Sequence, residues 1–132
     1  MKISIDSNVL VRFLTNDDKR QSEAARAELA GADMIVLALP TLCEVVWVLS
    51  RGYKIPSAEI SGILRRLMNS VNMVLNRPAA EAGLAMLEAG GDFADGVIAY
   101  DGRWLGAETF VSFDKRAVKL LEEQGEVARL LA

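Results

Sequence analysis

The chain has 132 residues, of which 52% are hydrophobic, with a formal net charge of −3, one cysteine and no histidine. That length supports a single domain, residues 1–132, built on one core. The missing histidine excludes Ser-His-Asp and Cys-His catalysis and histidine-built zinc sites, and a lone cysteine excludes an internal disulfide.

The opening segment "MKISIDSNVLVRFL" predicts a strand over Lys2–Asp6 that stops at a carboxylate, passes Ser7 and Asn8, and resumes as an apolar run. "QSEAARAELAG" is rich in helix formers and ends in Gly, and a second strand is expected at Met34–Leu39. "TLCEVVWVLSRG" is apolar almost all round, which predicts a buried helix; Cys43 within it reads as a small buried hydrophobe. "PSAEISGILRRLMNS" starts at Pro56, a natural first-turn residue, and places Ile60, Ile63, Leu64 and Leu67 on one face. A strand at Val71–Asn76, a helix in "PAAEAGLAMLEAGG", a strand at Thr109–Phe113 and a helix in "DKRAVKLLEEQG" closed by Gly125 complete the pattern. Strands alternating with helices of this length point to an α/β fold, a three-layer α/β/α sandwich around a central, mainly parallel sheet.

No apolar stretch reaches the length of a membrane span, and the first residues lack the basic-then-apolar layout of a secretion signal. The expectation is a cytoplasmic protein in a reducing compartment. The apolar excess points to a surface covered by a partner or a second copy.

The acids carry the chemistry. Asp6 and Asp114 each follow a predicted strand, on the side where parallel sheets bind ligands, although an Asp between strand and helix is also an ordinary N-cap. Glu44 is followed by apolar residues on the helix expected to be buried, where an unpartnered carboxylate would be costly. Thr41 through Glu44 also spells a capping box, and a hidden ion pair with an Arg is a second structural explanation. In "GGDFADGVIAY", Asp92 and Asp95 are three apart, so a helix starting there shows both on one side, although Asp92 after Gly90-Gly91 also reads as a plain cap of that helix. Were Asp6, Glu44, Asp95 and Asp114 to meet, each pair about 5 Å apart would repel by roughly 3 kcal/mol at an effective dielectric of about 20. Such a cluster persists when some acids stay protonated or a divalent cation neutralises them, and hard oxygen donors point to Mg²⁺ or Mn²⁺ if a metal is present.

"ISIDSNVLVRFL", "LCEVVWVL", "GGDFADGVIAY" and "TFVSFDKRAVKLL", in that order and spacing, resemble the PIN-domain nucleases, and among them the VapC toxins of bacterial type II toxin–antitoxin modules. The resemblance spans essentially the whole chain. It implies a central parallel sheet with an acidic pocket at its carboxyl end. It also implies Mg²⁺- or Mn²⁺-dependent RNA cleavage, a homodimer, and inhibition by a cognate VapB-type antitoxin. By resemblance Asp6, Glu44, Asp95 and Asp114 take the places of the family's catalytic, metal-holding acidic quartet. Asp92 matches an accessory acid, and Asn8 and Ser112 match small polar supporting positions. Ser7 and Ser112 stand where Thr is common, keeping a hydroxyl in each place. Arg12, Lys115 and Arg116 flank these acids and could grip an RNA backbone, although they read equally as ordinary solvated helix charge.

Two other enzyme classes fit less well. A haloacid-dehalogenase-type phosphatase needs a second Asp where this chain has Asn8, and in a receiver domain the phosphoacceptor would come later than Asp6. Within the same fold, a non-toxin RNA-processing nuclease and a non-catalytic protein-binding module remain the alternatives.

Overall fold

A computed structural model describes all residues, 1–132. The chain divides into two compact units, Met1–Asn76 and Arg77–Ala132. Every strand pairing in either unit is parallel. Seven α-helices connect the strands, because parallel neighbours cannot be joined by a tight hairpin. No helix is long and apolar enough to cross a membrane.

The first unit runs β1 (Lys2–Ser4), α1 (Ser7–Leu14), α2 (Lys19–Ala30), β2 (Met34–Val36), α3 (Leu39–Trp47), α4 (Ser57–Met68) and β3 (Met73–Val74). Its sheet has the order β1-β2-β3, with Ile3 opposite Ile35 and Ile35 opposite Met73. Leu10, Leu29, Ile35, Leu37, Val45, Leu49, Ile60 and Leu64 are buried. Fully burying each such side chain contributes about 1.5–3 kcal/mol. Ser22 is also buried, and its hydroxyl donates to the Thr15 carbonyl at 3.0 Å, which satisfies it and ties α2 to the end of α1.

The strands are shorter than expected. β3 keeps only two residues of Val71–Asn76, because Val71 is fully exposed and the Met73 amide turns back to the Ser70 carbonyl. α3 departs further from expectation. Leu42, Val45 and Val46 are buried, but Glu44 and Trp47, three apart on the other side, are exposed, and Cys43 is half-buried. The helix is therefore one-sided despite its apolar composition. It continues as a π-helical stretch, Val48–Gly52, that ends where the Tyr53 amide donates to the Val48 carbonyl.

The second unit runs α5 (Arg77–Glu88), α6 (Phe93–Trp104), β4 (Phe110–Ser112), α7 (Lys115–Glu123) and β5 (Ala128–Leu130), with β4 and β5 paired. Met86, Ala117 and Leu121 form its buried cluster, with Ala99, Phe110, Leu120 and Ala128 packed against it. α5 and α6 approach closely at two glycines. A Cβ on Gly83 would lie 2.6 Å from the Phe93 ring, and one on Gly96 would lie 2.3 Å from the Ala82 carbonyl oxygen.

β5 was not foreseen from sequence. α7 ends in a Schellman turn: Gly125 has φ +84°, its amide donates to Glu122, and the Glu126 amide reaches back to Leu121 at 2.9 Å. That turn redirects the chain into "ARL", whose alternating burial is the mark of a strand.

Candidate active site

Asp6 lies two residues past the end of β1, and Asp114 two residues past the end of β4. Both are N-caps. Asp6 Oδ1 accepts the Val9 amide at 3.1 Å. Asp114 Oδ1 accepts the Arg116 and Ala117 amides at 2.9 and 3.1 Å. Asp92 caps α6 in the same way, its Oδ1 accepting the Ala94 amide at 3.1 Å. Each cap contributes about 1 kcal/mol to its helix and fixes the direction of the carboxylate, while Oδ2 stays outside the cap.

The capping box read at Thr41 through Glu44 does not form. α3 starts earlier, with Ala38 as N-cap and a proline in its first turn, so Thr41 is already inside the helix. Glu44 is exposed, not buried as expected, and its Oε2 accepts the Ser7 hydroxyl at 2.7 Å. A hydroxyl donating to a carboxylate at that distance is a charge-assisted bond. Ser7 opens α1 directly after Asp6, so this bond ties Glu44 to the segment that carries Asp6. Asn8 is exposed and, with Asp6, Val9 and Arg12, lines a surface cavity of about 350 Å³.

Asp95 sits in the first turn of α6 and is half-buried. Burial raises its carboxyl above the ordinary value, and the negative charges of Asp92 and Asp114 push it further the same way. Asp92 and Asp114 therefore both act on Asp95. Ser112 supports the group, its hydroxyl accepting the Asp114 amide at 2.9 Å.

The donors present are carboxylates, an amide and hydroxyls, which suit a hard divalent cation such as Mg²⁺ or Mn²⁺ and not a thiophilic one. Within either unit no group of three acids or thiols is arranged as a ligand set. The fit to a cation rests instead on donor chemistry and on the charge crowded at Asp95.

Two of the three cations expected to grip a polyanion are engaged within the protein. Arg12 Nε donates to Gln21 at 2.7 Å, and its Nη1 donates to Asp17 at 2.9 Å and to the Tyr53 hydroxyl at 3.3 Å. Arg116 Nε donates to the Gly90 carbonyl at 3.0 Å. Lys115 is exposed at the first position of α7.

The Arg12 network centres on Asp17, to which Tyr53 donates at 2.7 Å and Thr15 at 3.1 Å. Tyr53 is the largest cause of an Asp17 carboxyl held below its ordinary value. An acid lowered in this way stabilises the fold above its ordinary value of 3.8, and that contribution is lost as pH falls through the lowered value. Tyr53→Phe should lower Tm slightly at pH 7, because solvent screens so exposed a pair, with the difference shrinking on acidification below about 3.8. A Tm difference independent of pH in thermal scans would contradict this.

Sequence reasoning missed Ser7 as the partner of Glu44 and missed the Asp17–Tyr53 pair. Ser7 carried a signal, its place beside Asp6. Asp17 and Tyr53 are 36 positions apart and carried none.

The family model for the PIN domain matches residues 3–122, a span that includes Asp6, Glu44, Asp92, Asp95 and Asp114. No curated protein and no solved structure gives a significant match.

Proposed function

The chain belongs to the PIN domain family, whose members are in general nucleases, and from that premise we propose that it is a Mg²⁺- or Mn²⁺-dependent endoribonuclease. We further assign it to the toxin side of a VapBC-type module: a cytoplasmic homodimer held in check by a VapB-type antitoxin. The observation that carries the reading is the raised carboxyl of Asp95, produced by burial and by two neighbouring acids. Charge crowded in this way opposes folding unless something else requires it, and perturbed acids mark functional sites.

In this reading Asp6 and Asp95 hold the cation most directly, and Glu44 and Asp114 complete its shell. When bound, the cation lowers the pKa of a water and stabilises charge developing on the phosphodiester. The other assignments describe what the chain itself does. Ser7 orients Glu44 through the 2.7 Å hydrogen bond, and Ser112 orients Asp114 through its amide. The caps at Asp6, Asp92 and Asp114 fix three carboxylates before any substrate arrives. Asn8 lines the same cavity as Asp6, and Lys115, which is exposed, is assigned to phosphate in this reading.

One observation favours a second reading. Since Asp6, Asp92 and Asp114 all serve as caps, each has a structural role that a non-catalytic binding module of this fold would also need. Incubating the protein with a panel of single-stranded RNAs separates the two. The nuclease reading predicts cleavage that needs Mg²⁺ or Mn²⁺, stops with EDTA, and leaves 5′-phosphate and 3′-hydroxyl ends. Products ending in 2′,3′-cyclic phosphate would reject water as the nucleophile. Intact RNAs alongside tight binding of a peptide partner would select the module. Rescue of cell growth by the product of an adjacent small reading frame would separate a toxin from an RNA-processing enzyme.

A further inference from the structure

We propose that Arg116 is a positioning residue, a strut that holds the segment carrying Asp92 and Asp95 in register with Asp114; its functional half rests on the reading of these acids as the cation site. α5 ends in a Schellman turn, with the Gly90 amide donating to Leu87 at 3.1 Å and the Gly91 amide to Met86 at 2.8 Å. Gly90 has φ +92°, and Arg116 Nε donates to its carbonyl at 3.0 Å. The backbone amide of the same arginine donates to Asp114 Oδ1 at 2.9 Å. One continuous path therefore runs from the Asp114 carboxylate through the Arg116 amide and side chain to Gly90, two residues before Asp92. α7 braces the turn a second time, since a Cβ on Gly91 would lie 2.7 Å from Leu120 Cδ1.

Two physical arguments give this path a purpose. A cation in the first turn of a helix opposes the helix dipole, so Arg116 occupies a position that its own helix disfavours. Asp92 and Asp114 also both repel Asp95, so holding the turn against α7 works against charge unless a bond offsets it. The strut supplies that bond with a charged donor and a neutral acceptor, the stronger class of hydrogen bond. Gly90 is matched to it: besides its left-handed φ, any Cβ there would lie 2.6 Å from Arg116 Nη2.

The test compares Arg116→Ala, Arg116→Gln and Arg116→Lys in the full chain by hydrogen exchange over residues 90–96 and by Mn²⁺ titration. Gln carries an amide nitrogen at the chain position of the Arg Nε and no charge, whereas Lys keeps the charge and lacks that nitrogen. Arg116→Ala should speed exchange of the turn and weaken Mn²⁺ binding, each by about tenfold, as expected for one charged hydrogen bond. Arg116→Gln should restore most of both, and Arg116→Lys less. Unchanged exchange in Arg116→Ala, or rescue by Lys and not by Gln, overturns the strut in favour of a charge-only role such as a phosphate grip. If Arg116→Ala does not fold, the Gln and Lys variants decide between the same outcomes. Failure of the unaltered protein to take up Mn²⁺ overturns the reading of the acids, while hydrogen exchange still decides the strut.

Discussion

Asp95→Asn is expected to reduce RNA cleavage by about 10³-fold or more, roughly 4 kcal/mol of lost transition-state stabilisation, while leaving the metal-free protein as stable as before or more so. The two halves follow from one observation. The Asp95 carboxyl is raised by burial first and by Asp92 and Asp114 second, so ionising it costs the folded state. For an acid raised in the fold, that cost is absent below the ordinary value of 3.8. It builds as pH rises through the raised value and is fully present above it. Asn is nearly isosteric and cannot ionise, so the variant should match the unaltered protein near pH 3 and exceed or equal it at pH 7, by no more than about 4 °C in Tm. Thermal scans in EDTA at both pH values measure this. A clear loss of stability at pH 7 would assign Asp95 a structural role and remove the main support for the nuclease reading.

Gly96→Ala should have the largest effect on stability. Its Cβ would sit 2.3 Å from the Ala82 carbonyl oxygen, 2.8 Å from the Ala82 carbonyl carbon and 2.9 Å from Gly83 Cα. All three are backbone atoms, which no side-chain rotation can clear. α6 would have to move away from α5, and overpacking of this kind costs about 1–3 kcal/mol or more. That is a large share of a total stability of about 5–15 kcal/mol. Gly96 follows Asp95 directly, so the same displacement would shift the acid and cut cleavage even under conditions where the variant stays folded. Denaturant unfolding combined with cleavage assays at low temperature checks both effects. A Gly96→Ala protein with unaltered midpoint and unaltered activity would contradict the close approach of α5 and α6.

The fold was legible wherever a segment's pattern matched its environment. α2, α4, α5 and α7 carry one-sided apolar spacing with Pro or Asp near their starts, and they lie within a few residues of where those signals put them. The parallel pairing followed from strand–helix alternation. α3 misled because composition reports how apolar a helix is and not how much of it is covered; Trp47 is 62% exposed. β5 was missed because three residues after a glycine turn offer almost no periodicity to read. Among the site residues, the caps at Asp6, Asp92 and Asp114 were legible as local chemistry. The hydrogen bond from Ser7 to Glu44 and the one from Arg116 to Gly90 join residues 37 and 26 positions apart, and only the folded chain brings them together.

We propose that Asp6, Glu44, Asp95 and Asp114 serve one divalent cation, and Mn²⁺ titration of the protein and its four single amide variants decides it. Asp6→Asn, Glu44→Gln, Asp95→Asn and Asp114→Asn should each weaken the same binding event by about tenfold or more, since each removes a charged oxygen ligand. Mn²⁺ affinity that survives intact in any one of these variants would show that its acid does not hold the ion, and would overturn the shared site.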